Sequence, residues 1–256
     1  MPVPDQLESR STSAHAVAPD KLSLARERLI VALDVPSAAA AASLVDRLEA
    51  SCRWIKVGME LFTAAGPTVI ETLIARGHSV FLDLKFCDIP NTVAGAVRAA
   101  ASLGVGMLTL HASGGPAMLE AARAALEGVA HPPQLLAVTV LTSIDAGQLK
   151  ATGVERSPAM HAELLARMGL DAGIRGFVCS PHEVASLRAL TGPDGVLVVP
   201  GIRPTGAAAG DQKRLATPAD ALRNGASYLV VGRPITQAAD PAKAVERTVA
   251  EMAEAI

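Results

Sequence analysis

The chain has 256 residues, of which 50% are hydrophobic and only 2% are aromatic, so a large core must be built mainly from aliphatic side chains and alanine. A net charge of −2 without a cluster of basic residues does not favour nucleic acid or an anionic membrane as a partner. The cysteines Cys52, Cys87 and Cys179 are odd in number and lack the C-x-x-C spacing of a zinc site. Together with the lack of any membrane-length apolar run, they predict a cytoplasmic protein with reduced thiols.

The first 24 residues differ in composition from the rest of the chain. They are rich in Pro, Ser, Ala and charged residues, and they lack the apolar segment of a secretory signal. We interpret residues 1–24 as a flexible N-terminal tail without a chemical role. The folded domain is then expected to occupy residues 25–256.

Eight short apolar runs recur along the rest of the chain, as expected for strands that are buried on both faces of a parallel sheet. The runs are Leu29–Asp34, Trp54–Gly58, Ser79–Leu84, Met107–Ala112, Leu135–Leu141, Gly176–Ser180, Val196–Gly201 and Tyr228–Gly232. Segments with helical periodicity lie between them, and several begin with a capping residue followed by proline, as at Ser180, Thr217 and Asp240. Eight strand–helix units predict a single-domain α/β protein with the (β/α)8 TIM-barrel fold.

Two connections in this pattern are long, at about residues 142–157 after strand 5 and about residues 202–216 after strand 7. Long loops within compact domains usually have a function. Both loops leave the carboxyl ends of strands, the end at which barrel enzymes carry their sites.

Polar or unusual residues stand at the carboxyl end of nearly every predicted strand. These residues are Asp34, Lys56, Asp83, Lys85, His111, Thr139, Thr142, Arg203, Gly232 and Arg233. In a barrel these positions converge on one mouth, which predicts a single site there. His111 by itself is more typical of a hydrogen-bonded core histidine than of a catalyst, and Cys87 has no obvious base beside it.

The segment DLKFCDIPNT, residues 83–92, places Asp83, Lys85 and Asp88 at the end of a buried strand. Asp83 and Lys85 would point to the same face of a regular strand. Charges are costly to bury unless they pair, so the segment is either a structural ion pair or part of a site. The two ammonium groups of Lys56 and Lys85 would fill the space of a cation, and we therefore predict no metal ion.

Two arginines follow strands 7 and 8, where barrels commonly bind phosphate. Arg203 and Arg233 can each offer a bidentate fork to phosphate oxygens, and the backbone N–H groups near Gly232 can face the same anion. Gln212, on the long loop after strand 7, could close over it. These residues predict a phosphorylated substrate.

The DLKFCDIPNT segment resembles the D-x-K-x-x-D-I-P-N-T signature of the orotidine 5'-monophosphate decarboxylases. Asp34, Lys56, the triplet Gly201-Ile202-Arg203, the pair Asp211-Gln212 and the closing Val231-Gly232-Arg233 also match that family. The similarity covers about residues 28–252. Cys87 departs from it, because many members have His at this variable position.

The resemblance implies a cofactor-free carboxy-lyase that converts orotidine 5'-phosphate to UMP and CO2 in de novo pyrimidine biosynthesis. Lys85 would stabilise and protonate the carbanion, with Asp83, Asp88 and Lys56 as the other catalytic residues. The implied substrate-binding residues are Asp34, Lys56, Asp83, Ile89, Thr92, Thr142, Arg203, Gln212, Gly232 and Arg233. The family pattern also implies a homodimer in which Asp88 and Thr92 reach the partner's site.

Two alternatives remain open at this stage. A sister enzyme such as a hexulose-phosphate synthase shares D-x-K-x-x-D, but it needs Mg2+ and has an acidic residue on strand 2, where this chain has Lys56. A non-catalytic nucleotide-phosphate binder could keep the same barrel, because a fold does not fix a function.

Overall fold

The computed structural model describes residues 20–205 and 216–256. In this part of the chain, eight parallel strands close into a barrel in chain order, and the last strand pairs with the first. The strands are β1 (Leu29–Leu33), β2 (Trp54–Gly58), β3 (Ser79–Phe86), β4 (Met107–His111), β5 (Gln134–Val138), β6 (Gly176–Val178), β7 (Val196–Val199) and β8 (Tyr228–Val231). The predicted (β/α)8 fold is confirmed.

The helices of the described residues surround this barrel, and at least one follows every strand. They are α1 (Lys21–Glu27), α2 (Ala38–Leu48), α3 (Met59–Ala65), α4 (Thr68–Ala75), α5 (Pro90–Ser102), α6 (Pro116–Ala124), α7 (Ala146–Ala151), α8 (Pro158–Asp171), α9 (Val184–Thr191), α10 (Pro218–Arg223), α11 (Arg233–Thr236) and α12 (Pro241–Ala253). The predicted caps are present: Ser180 forms a capping box with Glu183, and Thr217 and Asp240 each accept a backbone N–H of the helix that they precede.

Side chains along each strand alternate between two cores. The outward-facing positions, such as Leu108 and Leu110 of β4, pack under the helices. The inward-facing positions, such as Phe81 and Met107, fill the barrel interior. The rings of Trp54 and Tyr228 meet edge to face at 5.8 Å near the amino ends of β2 and β8. The barrel floor is therefore packed, and the charged inward-facing residues Lys56, Asp83 and Lys85 lie toward the carboxyl ends.

Strand ends differ from the predicted ones because apolar residues continue into the loops after the pairing stops. β5 ends at Val138 rather than Leu141, and most other strands also end before the predicted bound. In contrast, β3 continues to Phe86, beyond the predicted end at Leu84.

The amino-terminal boundary of the folded part is marked by α1, whose N-cap is Asp20. Residues 21–24, assigned to the tail from composition, form the first turn of this helix instead. The helix packs against α12. Residues 1–19 lie outside the described residues, and the flexible tail stays a prediction for them.

The two long connections differ in how much of each is described by the structure. The long connection after β5 contains α7, whose N-cap Asp145 forms a capping box with Gln148. The two ends of the loop after β7 lie next to each other, because Ile202 and Ala216 form an isolated β-bridge. Its central part, which includes Gln212, lies outside the described residues.

Two further findings concern the cysteines and the helices. All three cysteines, which fall in the described part of the chain, are free thiols. Among the helices described here, none combines the length and the apolar character needed to cross a bilayer.

Candidate active site

Four charged side chains of alternating sign form a continuous array at the carboxyl end of the barrel. Lys56 Nζ lies 2.9 Å from Asp34 Oδ1 and 3.6 Å from Asp83 Oδ2, and Lys85 Nζ lies 2.8 Å from Asp83 Oδ1. The side chains of Lys56 and Asp83 are only 11% and 13% exposed. The array therefore starts at the rim with Asp34 and continues into the buried mouth.

Strand register explains why Lys56 reaches both carboxylates. Lys56 pairs with Ala32 of β1 on one side and with Phe81 of β3 on the other, so it faces inward between Asp34 and Asp83. Gly58 leaves the space that the ammonium group occupies. A Cβ atom at this glycine would lie 2.9 Å from Lys56 Nζ, which is too close for a real contact.

The charges of the array keep Asp83 ionised. Burial by itself would raise the pKa of Asp83, but the charges of Lys56 and Lys85 and hydrogen bonds from Lys85 and Thr109 outweigh it. The pKa of this carboxyl consequently lies below its ordinary value. The interior therefore holds a carboxylate, not a carboxylic acid, next to the Lys85 ammonium group.

The end of β3 is irregular at Lys85. The backbone of Lys85 has φ +52°, a left-handed conformation that is uncommon outside glycine. Asp83 and Lys85 line the same cavity and are in contact, as the same-face prediction expects, but the strand end between them is irregular rather than regular. They meet across a bulge.

Thr109 is a residue of this site that the sequence pattern does not single out. Its side chain is fully buried on β4, and its hydroxyl donates to Asp83 Oδ1 at 3.0 Å and accepts the backbone N–H of Lys85 at 2.9 Å. The alternation of side-chain direction along β4 could have indicated Thr109, because Met107, Thr109 and His111 share the inward face.

A cavity of ≈ 170 Å³ adjoins the array. Lys56, Asp83 and Lys85 line one part of it, and the rest is mainly apolar. The other lining residues are Phe81, Val138, Val140, Leu141, Thr142, Val178, Cys179, Pro200 and Val230. The structure thus brings Thr142 to the array as predicted, whereas the hydroxyl of Thr139 donates to the Val178 carbonyl.

A larger cavity of ≈ 590 Å³ lies at the opposite end of the barrel. Three arginines line it, but each forms an ion pair with a carboxylate: Arg26 with Glu246, Arg53 with Glu27 and Arg76 with Asp46. Barrel enzymes carry their sites at the carboxyl ends of the strands. We therefore place the candidate site at the smaller cavity.

Of the predicted phosphate residues, Arg203, Gly232 and Arg233 lie at the same mouth, whereas Gln212 is outside the described residues. Burial lowers the pKa of Arg203, and the positive charge of Arg233 lowers it further. A Cβ atom at Gly232 would lie 3.9 Å from Asp34 Oδ2. The end of β8 at Gly232 therefore lies beside the array, and Arg233 follows directly, whereas Arg203 follows β7.

The turn that follows β3 is exposed, and Asp88, Ile89 and Thr92 do not line the cavity. Asp88 and Thr92 are exposed, and Ile89 is 67% exposed. Asp88 Oδ1 accepts the Ile89 backbone N–H at 2.6 Å. Within the described residues, no ion pair joins Asp88 to Lys56 or Lys85. One chain by itself thus leaves these three predicted site residues outside the site.

His111 lies at the edge of the array, at the end of β4. Burial lowers its pKa, and the nearby charge of Lys85 lowers it further against the opposing effect of Asp83. These shifts favour a neutral imidazole.

Cys87 is exposed. Among residues 20–205 and 216–256, no group of three or more His, Cys, Asp or Glu side chains is arranged to hold a metal ion.

A parallel barrel with a buried lysine–aspartate array and an arginine pair at its carboxyl end defines the class of (β/α)8-barrel enzymes. Within this class, the chain belongs to the orotidine 5'-phosphate decarboxylase / HUMPS family, whose model matches residues 27–248.

Curated relatives and solved structures support this assignment. The chain is 51% identical over 234 residues to an orotidine 5'-phosphate decarboxylase of Moorella thermoacetica, covering 89% of this chain and 93% of the relative. It is 52% identical over 235 residues to one from Nostoc sp., covering 90% and 98%. The crystal structure of the decarboxylase from Lactobacillus acidophilus is similar with a TM-score of 0.79 and 40% identity, covering 88% of this chain and 99% of that chain.

Proposed function

We propose that the chain decarboxylates orotidine 5'-phosphate, with Lys85 as the group that stabilises and protonates the carbanion. It is an orotidine 5'-phosphate decarboxylase, a carboxy-lyase of pyrimidine biosynthesis, and its products are UMP and CO2. Curated relatives with about half of their residues identical support the reaction. The roles of individual residues rest on the geometry of the site.

The observation that carries this function is the position of Lys56 between Asp34 and Asp83. A sister synthase that depends on Mg2+ needs an acidic residue on strand 2 to hold the metal. Here an ammonium group occupies that place, and it supplies the positive charge between two carboxylates. The array therefore favours the decarboxylase over the synthase.

The reaction breaks the bond between carbon 6 of the pyrimidine and the carboxylate, which leaves as CO2, and the electron pair remains on carbon 6. A fixed ammonium group beside this carbon stabilises the charge as it develops. Lys85 then transfers a proton from Nζ to carbon 6, which completes UMP. Its contact with Asp83 at 2.8 Å holds Nζ in place.

The remaining parts of the substrate fit the surroundings of the array. We assign the ribose hydroxyls to Asp34 and Lys56, and the pyrimidine to Thr142 and the apolar wall of the ≈ 170 Å³ cavity. The phosphate is assigned to Arg203, Arg233 and the backbone at Gly232. Gln212 would complete the phosphate site from the loop after β7.

We further propose that the site is completed by a second copy of the chain. Asp88, Ile89 and Thr92 are exposed in one chain, and an isoleucine that is 67% exposed is suited to contact with a partner. An isologous dimer would carry these residues of each chain to the array of the other. Asp88 would then add a second carboxylate beside Lys85.

The location of the enzyme is proposed to be the cytoplasm. Three free thiols, two of them buried, suit a reducing compartment.

The reaction is tested by following the loss of substrate absorbance when orotidine 5'-phosphate is added to the purified chain. We expect full activity after treatment with EDTA, because Lys56 and Lys85 supply the charge that a metal would bring. Activity that is lost with EDTA and restored by Mg2+ would favour the synthase. Tight binding of UMP without turnover would favour a nucleotide-phosphate binder.

Arg233→Ala is expected to lower kcat/KM for orotidine 5'-phosphate by about 10- to 100-fold, the factor for losing one charged hydrogen-bonding partner. The phosphate is remote from the reacting carbon, but its binding energy can be used at the transition state. Arg223→Ala is the control, because Arg223 is exposed on α10 and pairs with Asp220. Equal kcat/KM for both variants would show that Arg233 does not bind phosphate.

A further inference from the structure

The pairing between β3 and β4 changes register next to the array. Leu82 pairs with Leu108, but the next pair is Phe86 with Leu110. Three residues of β3, numbers 83–85, therefore stand opposite Thr109 alone. Such a bulge bends the strand and redirects side chains, and bulges are frequent near active sites.

The Thr109 hydroxyl fills the place where regular backbone pairing is lost. It accepts the Lys85 N–H at 2.9 Å. Because that N–H can only donate, the single hydroxyl hydrogen is free to point to Asp83 Oδ1, which lies 3.0 Å away. Thr109 is 0% exposed, so water does not compete for either bond.

These bonds close a ring with the Lys85 side chain. The Lys85 N–H binds Thr109, Thr109 binds Asp83 Oδ1, and the same oxygen accepts Lys85 Nζ at 2.8 Å. Both ends of Lys85 are thereby tied to one carboxylate oxygen. The ring also holds the left-handed backbone of Lys85, a conformation that persists only where its surroundings enforce it.

We propose that Thr109 is a positioning residue, which holds the Lys85 backbone and the Asp83 carboxylate so that the Lys85 ammonium group stays aimed into the cavity. This inference rests on the proposed role of Lys85 in decarboxylation. Thr109 does not line the cavity, and it acts through its two neighbours. Its effect falls on the chemical step, while the proposed phosphate contacts, which lie after β7 and β8, are left intact.

The test replaces the hydroxyl while it keeps the shape of the side chain. Thr109→Val is expected to lower kcat by about 10- to 100-fold with little change in KM, because one hydrogen bond to a charged group is lost and substrate binding is kept. Thr109→Ser keeps the hydroxyl and is expected to restore kcat to within about threefold of wild type.

Thr248→Val is the matched control. Thr248 is 1% exposed on α12, and its hydroxyl donates to the Ala244 carbonyl at 2.8 Å, so the variant also loses a buried hydrogen bond. It is expected to lower the melting temperature without changing kcat. Wild-type kcat in Thr109→Val would overturn the proposal, and so would a Thr109→Ser variant as slow as Thr109→Val.

A second measurement is independent of activity and of the folding of any variant. Wild-type protein labelled with 15N-lysine is expected to show slow hydrogen exchange at the Lys85 amide, because Thr109 accepts its N–H in a buried site. Exchange at the rate of an open loop would overturn the proposal. If the wild-type chain does not decarboxylate orotidine 5'-phosphate, the proposed function fails. Hydrogen exchange at the Lys85 amide still tests whether Thr109 holds the backbone of Lys85.

Discussion

Lys85→Ala is expected to lower kcat for orotidine 5'-phosphate by at least about 10⁴-fold, because the proposed role of Lys85 combines two effects. Removing a proton donor typically costs 10²- to 10⁴-fold, and removing one group that stabilises developing charge costs about 10²- to 10³-fold. The ammonium group of Lys56 remains, but it forms ion pairs with Asp34 at 2.9 Å and with Asp83 at 3.6 Å. It is not placed to take over the proton transfer.

The barrel of this variant is expected to stay folded, because the Lys85 side chain is 23% exposed and lies at a strand end. Lys150→Ala is the matched control, since Lys150 lies on α7 with a side chain that is 71% exposed. The measurements are single-turnover rates and circular dichroism. A Lys85→Ala enzyme that keeps a tenth of the wild-type kcat would refute the assignment of Lys85.

Lys85→Gly separates the strain of the backbone from the loss of the ammonium group. Glycine adopts a positive φ at little cost, so this variant is expected to be about 1 kcal/mol more stable than Lys85→Ala at φ +52°. It should nevertheless be equally inactive. This comparison uses the free energy of unfolding in urea together with kcat.

Mixing two inactive chains is expected to restore activity if Asp88 serves the partner's site. Lys85→Ala and Asp88→Ala are each inactive as homodimers under this proposal. In the heterodimer, one site carries both defects and the other carries neither. Activity should therefore return to about half of the wild-type value per heterodimer.

The control for this experiment mixes Lys85→Ala with Asp83→Ala. Asp83 lies 2.8 Å from Lys85 of the same chain, so every site of that heterodimer keeps one defect and no activity should return. Formation of heterodimers is verified by native mass spectrometry. Confirmed exchange without recovery for the Asp88 pair would mean that Asp88 serves its own chain and that the shared-site proposal is wrong.

The sequence by itself determined the barrel and indicated which charged residues meet at its mouth. Strands buried on both faces leave near-continuous apolar runs, and helix starts leave short local motifs, so both could be found without the structure. The polar residues at strand ends were informative because parallel strands of a barrel end at one mouth. Asp34, Lys56, Asp83, Lys85 and Thr142 meet there as predicted.

Other features depended on contacts between distant segments, and only the tertiary structure decided them. Helix α1 packs against α12 at the other end of the chain, although the composition of its first turn resembles that of the tail. The bulge at Lys85 and the role of Thr109 depend on the register between β3 and β4. A local sequence pattern shows which residues are apolar. It does not show the register between two neighbouring strands, because packing across the whole barrel determines that register.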